Sequence, residues 1–211
     1  MIKVKDLSLS YTKNTVIDSA SFHIKKGEFA VLVGDNGSGK STLLSAVASV
    51  MPKRSGEISM SGSFIYVPQS CGLIEELTFI DNLRYFASLY NVKVPKELPL
   101  KADHLLKTKI RDMSGGMKKL CSIVCALIAD ADILLLDEPV ASLDREHGIM
   151  LREYLSELKK QKKTILYIGH STDEYSSLAD LYLTLENKKI SVRYTNKEHS
   201  STQIKGGGNI E

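Results

Sequence analysis

Gly34-Asp35-Asn36-Gly37-Ser38-Gly39-Lys40-Ser41-Thr42 is the stretch that decides the fold. Gly34, Gly39, Lys40 and Ser41 fit the pattern G-x-x-x-x-G-K-[ST], a loop that wraps a phosphate. Before it stands Phe29-Ala30-Val31-Leu32-Val33, short, apolar and β-branched, as a buried parallel strand is. After it, Leu43 to Val50 has the composition of a helix. Glycines let backbone N–H groups curl around an anion. The helix N-terminus adds unpaired donors and a favourable dipole. Lys40 supplies a point charge for β- and γ-phosphates, and the Ser41 hydroxyl suits a magnesium ion. A glycine-rich turn could match the pattern by chance, but the flanking strand and helix argue against that. The loop predicts nucleotide binding.

The chain has 211 residues, enough for one generous domain with a large core. Hydrophobic residues make up 43% and charged residues 25%, ordinary globular values. The net charge of +3 is mild, and no basic block points to nucleic acid, so no nucleic-acid partner is expected. Lys159-Lys160-Gln161-Lys162-Lys163 reads as a helix end, where cations suit the dipole. Cys71, Cys121 and Cys125 form no C-x-x-C pair, and the last two share a helix face as small buried thiols. Neither a signal peptide nor a long apolar span is visible, so an intracellular protein that does not itself cross the membrane is expected.

Residues 2–9 and 15–24 read as strands, with Tyr11 in the turn between them. Pro52 to Gly56 is a turn, followed by short strands at 56–60 and 63–67 that end in Pro68-Gln69. A helix is predicted at 79–90. Residues 91–113 are polar and broken by Pro95 and Pro99, which predicts loop with a short helix at 102–107. From Ser114-Gly115-Gly116 a helix runs to about 129, with Leu120, Ile123, Val124, Leu127 and Ile128 as its apolar stripe. A helix at 144–161, a strand at 164–169, a helix at 172–178 and strands at 181–186 and 189–194 complete the chain.

Phosphate loops serve kinases, GTPases and motor ATPases alike, so the loop alone names no activity. The second decisive stretch is Ile133-Leu134-Leu135-Leu136-Asp137-Glu138-Pro139. An acid at the C-terminal end of a parallel strand sits in the crevice where ligands bind. Asp137 there can hold magnesium through water, and Glu138 can polarise an attacking water.

Ser114-Gly115-Gly116, shortly before that strand, makes the chain resemble the ATP-binding-cassette (ABC) transporter ATPases. The resemblance covers roughly residues 1–195. It implies an α/β fold: a P-loop NTPase core with an N-terminal antiparallel β subdomain and a small α-helical subdomain, here about 70–129. Beyond it, residues 196–211, with Gly206-Gly207-Gly208, read as a flexible tail. The resemblance also implies roles for individual residues. Tyr11 resembles the aromatic that stacks on adenine, and Gln69 the glutamine that meets magnesium together with Ser41 and Asp137. Ser114, Gly115 and Gly116 resemble the helix start that caps the γ-phosphate held by a second subunit. Ala141-Ser142-Leu143-Asp144 resembles the loop that reaches across to that site. His170 resembles the switch histidine, acting beside Glu138 and Lys40. ATP and Mg²⁺ are the implied ligands. The implied partners are transmembrane permease subunits and a second ATP-binding subunit, identical or not, at the cytoplasmic face of the cell membrane.

Leu77 to Tyr90 and Met117-Lys118-Lys119 resemble export-type members. Met113 replaces the usual Leu, and the interval from Asn82 to Ser114 is shorter than in most members by a helix's length. Two other readings fit many of the same residues: a non-transport ABC switch protein, and a regulatory nucleotide-binding subunit with little hydrolysis.

Overall fold

The computed structural model describes residues 1–11, 14–70, 72–169 and 175–195. Strand β3 (Phe29–Val33) is buried along its whole length, as are β6 (Ile133–Asp137) and β7 (Thr164–Ile168). Such continuous apolar runs form where both faces of a parallel sheet are covered. With β5 (Phe64–Val67), β8 (Leu181–Glu186) and β9 (Lys189–Tyr194) they build a six-stranded sheet in the order β5-β6-β7-β3-β8-β9. Only its last pair, β8 with β9, is antiparallel. Strands β1 (Ile2–Tyr11), β2 (Asn14–Ile24) and β4 (Ser55–Met60) form a separate antiparallel sheet, β2-β1-β4.

The period of two along each strand sorts the side chains into two cores. Ala30 and Leu32 join α1 (Lys40–Val47) and the small sheet through Leu43, Leu44, Leu7 and Ile17. Phe29 and Val31 face the other way, toward α2 (Phe79–Tyr90), α3 (Gly115–Leu127) and α4 (Arg145–Lys160). These two layers hold the strand ends where the loop and the acids emerge. The predicted α/β core and the N-terminal antiparallel sheet are present, together with the helices expected at 79–90, 114–129 and 144–161.

Several local expectations differ. The first helix begins at Lys40 rather than Leu43 and stops at Val47, because Ser49 turns to a positive φ of 59°. Tyr11 is the last residue of β1, paired with Asn14, not a turn residue. The strands at 56–60 and 63–67 lie in different sheets, since β4 pairs with β1 and β5 with β6. The stretch read as polar loop at 91–113 carries two 3-10 segments, Pro99–Leu105 and Ile110–Asp112. It also buries Leu98, Leu100, Ala102, Leu105, Ile110 and Met113. Of the helix expected at 172–178, residues 172–174 lie outside the described residues. Tyr175 to Leu178 is a turn, closed by the Ala179 N–H on the Tyr175 carbonyl at 2.9 Å. Cys71 and the tail 196–211 also lie outside the described residues.

Candidate functional site

Strand order places the chemistry. β6 lies next to β7, with Asp137 opposite Ile168, and β7 lies next to β3, whose end feeds the glycine-rich loop. On its other side β6 pairs with β5, so Pro68-Gln69 leaves the sheet beside Asp137-Glu138. Three strand ends thus converge at one edge of the sheet, the edge where open α/β folds bind ligands.

A cavity of about 380 Å³ opens there. Asn36, Gly37 and the run Gly39 to Thr42 line one side of it, and Gln69 and Glu138 the other. Lys40 is buried, and its ammonium donates to the carbonyls of Gly34 (2.7 Å) and Asp35 (2.9 Å). Ser41 Oγ donates to Asp137 Oδ1 at 3.1 Å. Gln69 Nε2 approaches Glu138 Oε2 at 3.5 Å. Glu138 has a positive φ of 45°, which turns it out of the strand line next to the buried Asp137. Burial pushes the Asp137 carboxyl above the ordinary carboxylate range. The Ser41 hydrogen bond opposes that, the Glu138 charge adds to it, and the Lys119 and Lys40 charges oppose it.

The cavity fits a polyphosphate. α2, α3 and α4 are each capped by a side chain, that of Thr78, Ser114 or Asp144, whereas α1 has Gly39 at its cap and no side-chain bond. Its first N–H groups are therefore left for a ligand. Gly39 has a φ of 108°, and an added Cβ would collide with Val16, so only glycine suits this position. Ser38 Oγ, within the same loop, is buried with no hydrogen-bond partner among the described residues. The oxygens of Ser41, Asp137 and Gln69 are the hard donors a magnesium ion takes, and they lie together at this edge.

Other predicted residues lie elsewhere. Ser114 and Gly116 line a second cavity of about 340 Å³ with Ser142, Asp144, His104 and His147, and no residue lines both cavities. Ser114 Oγ accepts the Met117 N–H at 3.3 Å as a helix cap, which leaves its O–H free to donate outward. Gly115 opens α3 with no atom near its missing Cβ. A Cβ on Gly116 would lie 2.7 Å from the Ser142 carbonyl, so glycine lets α3 and the 141–144 loop touch. Asp144 caps α4: its carboxylate accepts the His147 N–H at 2.9 Å and meets His147 Nδ1 at 2.8 Å. Those bonds hold its pKa below the ordinary range, the backbone one most strongly. Tyr11 is exposed at the end of β1 and lines neither cavity. His170 lies outside the described residues.

Two buried polar residues make contacts that the sequence pattern does not reveal. Lys119 is buried on α3 and donates to the carbonyls of Pro68 (2.9 Å) and Gln69 (3.2 Å). Its signal was position: Lys119 stands four residues before Ile123, on the apolar face. Asn82, fully buried, ties Ile74 and Thr78 together through its amide.

The family described as ABC transporter matches residues 17–141, a span that includes both the loop and the Asp137-Glu138 strand. The chain belongs to the ABC transporter family, among its ATP-binding proteins. It is similar to an uncharacterized ABC transporter ATP-binding protein, MJ1023, of Methanocaldococcus jannaschii. The two share 31% identity over 196 residues, covering 89% of this chain and 75% of that one. The molybdate/tungstate import ATP-binding protein WtpC of Pyrococcus horikoshii is 32% identical over 205 residues, covering 85% of this chain and 58% of that one. Among solved structures, the ATP binding subunit of an ABC transporter superposes with a TM-score of 0.85 at 29% identity, covering 92% of this chain and 90% of that one. ABC membership accounts for the loop, the paired acids and the Ser114 helix in one chain. Among the described residues no helix is long and apolar enough to cross a membrane.

Proposed function

We propose that this chain is the ATP-hydrolysing subunit of an ABC exporter, working as a dimer that drives separate membrane-spanning subunits from the cytoplasmic face. The observation that carries the dimer is the separation of the two cavities. Loop, Lys40, Ser41, Gln69, Asp137 and Glu138 surround one, while Ser114, Gly116 and Asp144 line the other. Either alone offers half of what a triphosphate needs, and a second cassette, identical or related, supplies the missing half to each. Lys40 and the open start of α1 hold the phosphates. Ser41, Asp137 and Gln69 hold Mg²⁺, which when bound neutralises phosphate charge. Glu138 accepts a proton from the attacking water. In a closed dimer the Ser114 hydroxyl and the α3 N-terminus face the γ-phosphate from the far side, so electrostatic stabilisation is complete only on closure. Tyr11 stacks on the adenine, and His170 senses the γ-phosphate. Export rests on the stretch 77–90. The relative WtpC, 32% identical, is an import ATP-binding protein, so export stands on that stretch alone.

The test is Glu138→Gln beside Lys40→Ala. Glu138→Gln keeps Mg-ATP binding, loses most turnover and doubles its mass in light scattering when Mg-ATP is added. Lys40→Ala loses about 3 kcal/mol of charge-assisted bonding, roughly a hundredfold in nucleotide affinity. Wild-type turnover in Glu138→Gln removes that residue as the base. A persistent monomer with intact binding points to an unlike partner subunit.

A further inference from the structure

Lys40 and Lys119 are the buried lysines among the described residues, 5% and 3% exposed. Each ammonium is held by two successive carbonyls: Lys40 by Gly34 and Asp35, Lys119 by Pro68 and Gln69. An ammonium is costly to take out of water unless its protons are bonded. Residues 119–127 of α3 are buried throughout, so an apolar side chain would serve packing there as well. What the ammonium adds to packing includes its bonds to the bend after β5. That bend carries Gln69 to within 3.5 Å of Glu138.

Lys119 also lies on the helix that starts at the other cavity. Ser114 caps α3 and lines the second cavity, and Lys119 is five residues further along. At about 1.5 Å per residue the separation along the axis is roughly 7.5 Å of continuous α-helix. A rigid element thus touches the second cavity at one end and the Gln69 bend of the first cavity a turn and a half later.

We infer that Lys119 is a positioning residue: it fixes the Gln69 bend in the first cavity and makes that bend move with the helix that begins at Ser114. Engagement of the second cavity by a partner is then passed to Gln69 through one ammonium. The inference rests on the ATPase reading of the first cavity.

The test uses the full chain with Lys119→Met, which keeps the stem and removes the donors, and Lys119→Arg, which keeps a buried cation with donors. Hydrogen–deuterium exchange without nucleotide is read on peptides spanning 66–75. Lys119→Met exchanges there about tenfold faster than wild type, as expected when a local opening is favoured by about 1.4 kcal/mol, while Lys119→Arg stays near wild type. In turnover assays the same variant loses kcat with KM for Mg-ATP nearly unchanged, and the arginine variant recovers most of it. Wild-type exchange at 66–75 in Lys119→Met overturns the inference. So does an increase spread equally over the sheet and all helices, which marks a merely structural lysine. If Lys119→Met does not fold, Lys119→Gln is judged by the same criteria. A wild-type chain that neither binds nor hydrolyses Mg-ATP overturns the ATPase reading, while the exchange arm, needing no nucleotide, still decides whether Lys119 holds the bend.

Discussion

Ser41 Oγ and Asp137 Oδ1 lie 3.1 Å apart across 96 positions of sequence, and their hydrogen bond joins the start of α1 to the end of β6. It is the point where the glycine-rich loop and the acidic strand become one site. It is also where the protein carries an electrostatic cost, because burial is the largest influence on Asp137 and raises its pKa.

That cost has a sign. A carboxyl whose folded pKa lies above its unfolded value of about 3.9 binds a proton more readily in the folded state. Stability therefore falls as pH rises between the two values, and the penalty is complete above the folded one. Asp137→Asn removes the charge but keeps an oxygen that accepts from Ser41. Without nucleotide the variant is expected to melt above wild type at pH 7, with the gap closing as pH is lowered through the carboxylate range. Magnesium should no longer tighten its nucleotide binding. Melting curves at several pH values check the first part; an unchanged or lower melting temperature at pH 7 would refute it.

Glu138 also gives up stability for chemistry, here through its backbone. Its φ of 45° is left-handed, a conformation that strains a residue with a Cβ by about 1–2 kcal/mol. Glycine relieves that strain but has more freedom to lose on folding, about 0.5–1 kcal/mol. Glu138→Gly is thus expected to stabilise the nucleotide-free protein by about 1 kcal/mol while losing turnover as thoroughly as Glu138→Gln. Urea denaturation of the two variants beside wild type measures the difference, and a destabilised glycine variant would show that the left-handed turn is not under strain.

The sequence exposed the parts of this site that are contiguous. Residues 34–42 and 133–138 announce themselves because loop, strand and acid follow one another along the chain, and each contact they make is set by where a strand ends. Lys119 is different. Its role depends on which carbonyls fold back against α3, and Pro68 and Gln69 are 50 or more positions away. The stretch 91–113 misled for another reason. Its buried leucines are carried on 3-10 turns, with Leu100 and Lys101 at φ 59° and 51°, so no helical or strand period links them. Phe79 misled too. The apolar set at 73–90 is more than one helix can bury, which suggests that part of it, Phe79 included, is left as a docking face. Yet here the Phe79 and Ile80 N–H groups bond back to Thr108 and Leu106, and the ring lies in the core.

That correction redirects the search for the membrane partner. From sequence, Phe79 and Tyr85 together suggest a docking face on residues 73–90. In the structure Phe79 is 0% exposed, so a charge there would break the core rather than the interface. The apolar surface that α2 does present is Tyr85, 47% exposed, and Leu89, 61% exposed, with Ile74 nearby in sequence at 37%. Tyr85 packs edge-on against Phe86, whose ring with Tyr90 borders a cavity of about 180 Å³ next to Pro68 and Gly72. A contact at this cavity would therefore lie against the same bend that carries Gln69. Exposed apolar groups gathered beside a cleft mark an interface more often than a plain surface. Under the transporter reading the occupant is a membrane-spanning subunit. Tyr85→Asp with Leu89→Glu is expected to leave the fold within about 0.5 kcal/mol of wild type, as exposed substitutions usually do, and to leave nucleotide binding intact. In membranes prepared from the native host, recovery of the double variant should fall severalfold relative to wild type. Phe79→Asp, the internal control, should lose its cooperative melting transition. If the double variant still sediments with membranes as wild type does, the docking face lies elsewhere; if wild type itself never does, the chain does not work on a membrane subunit and the non-transport reading takes its place.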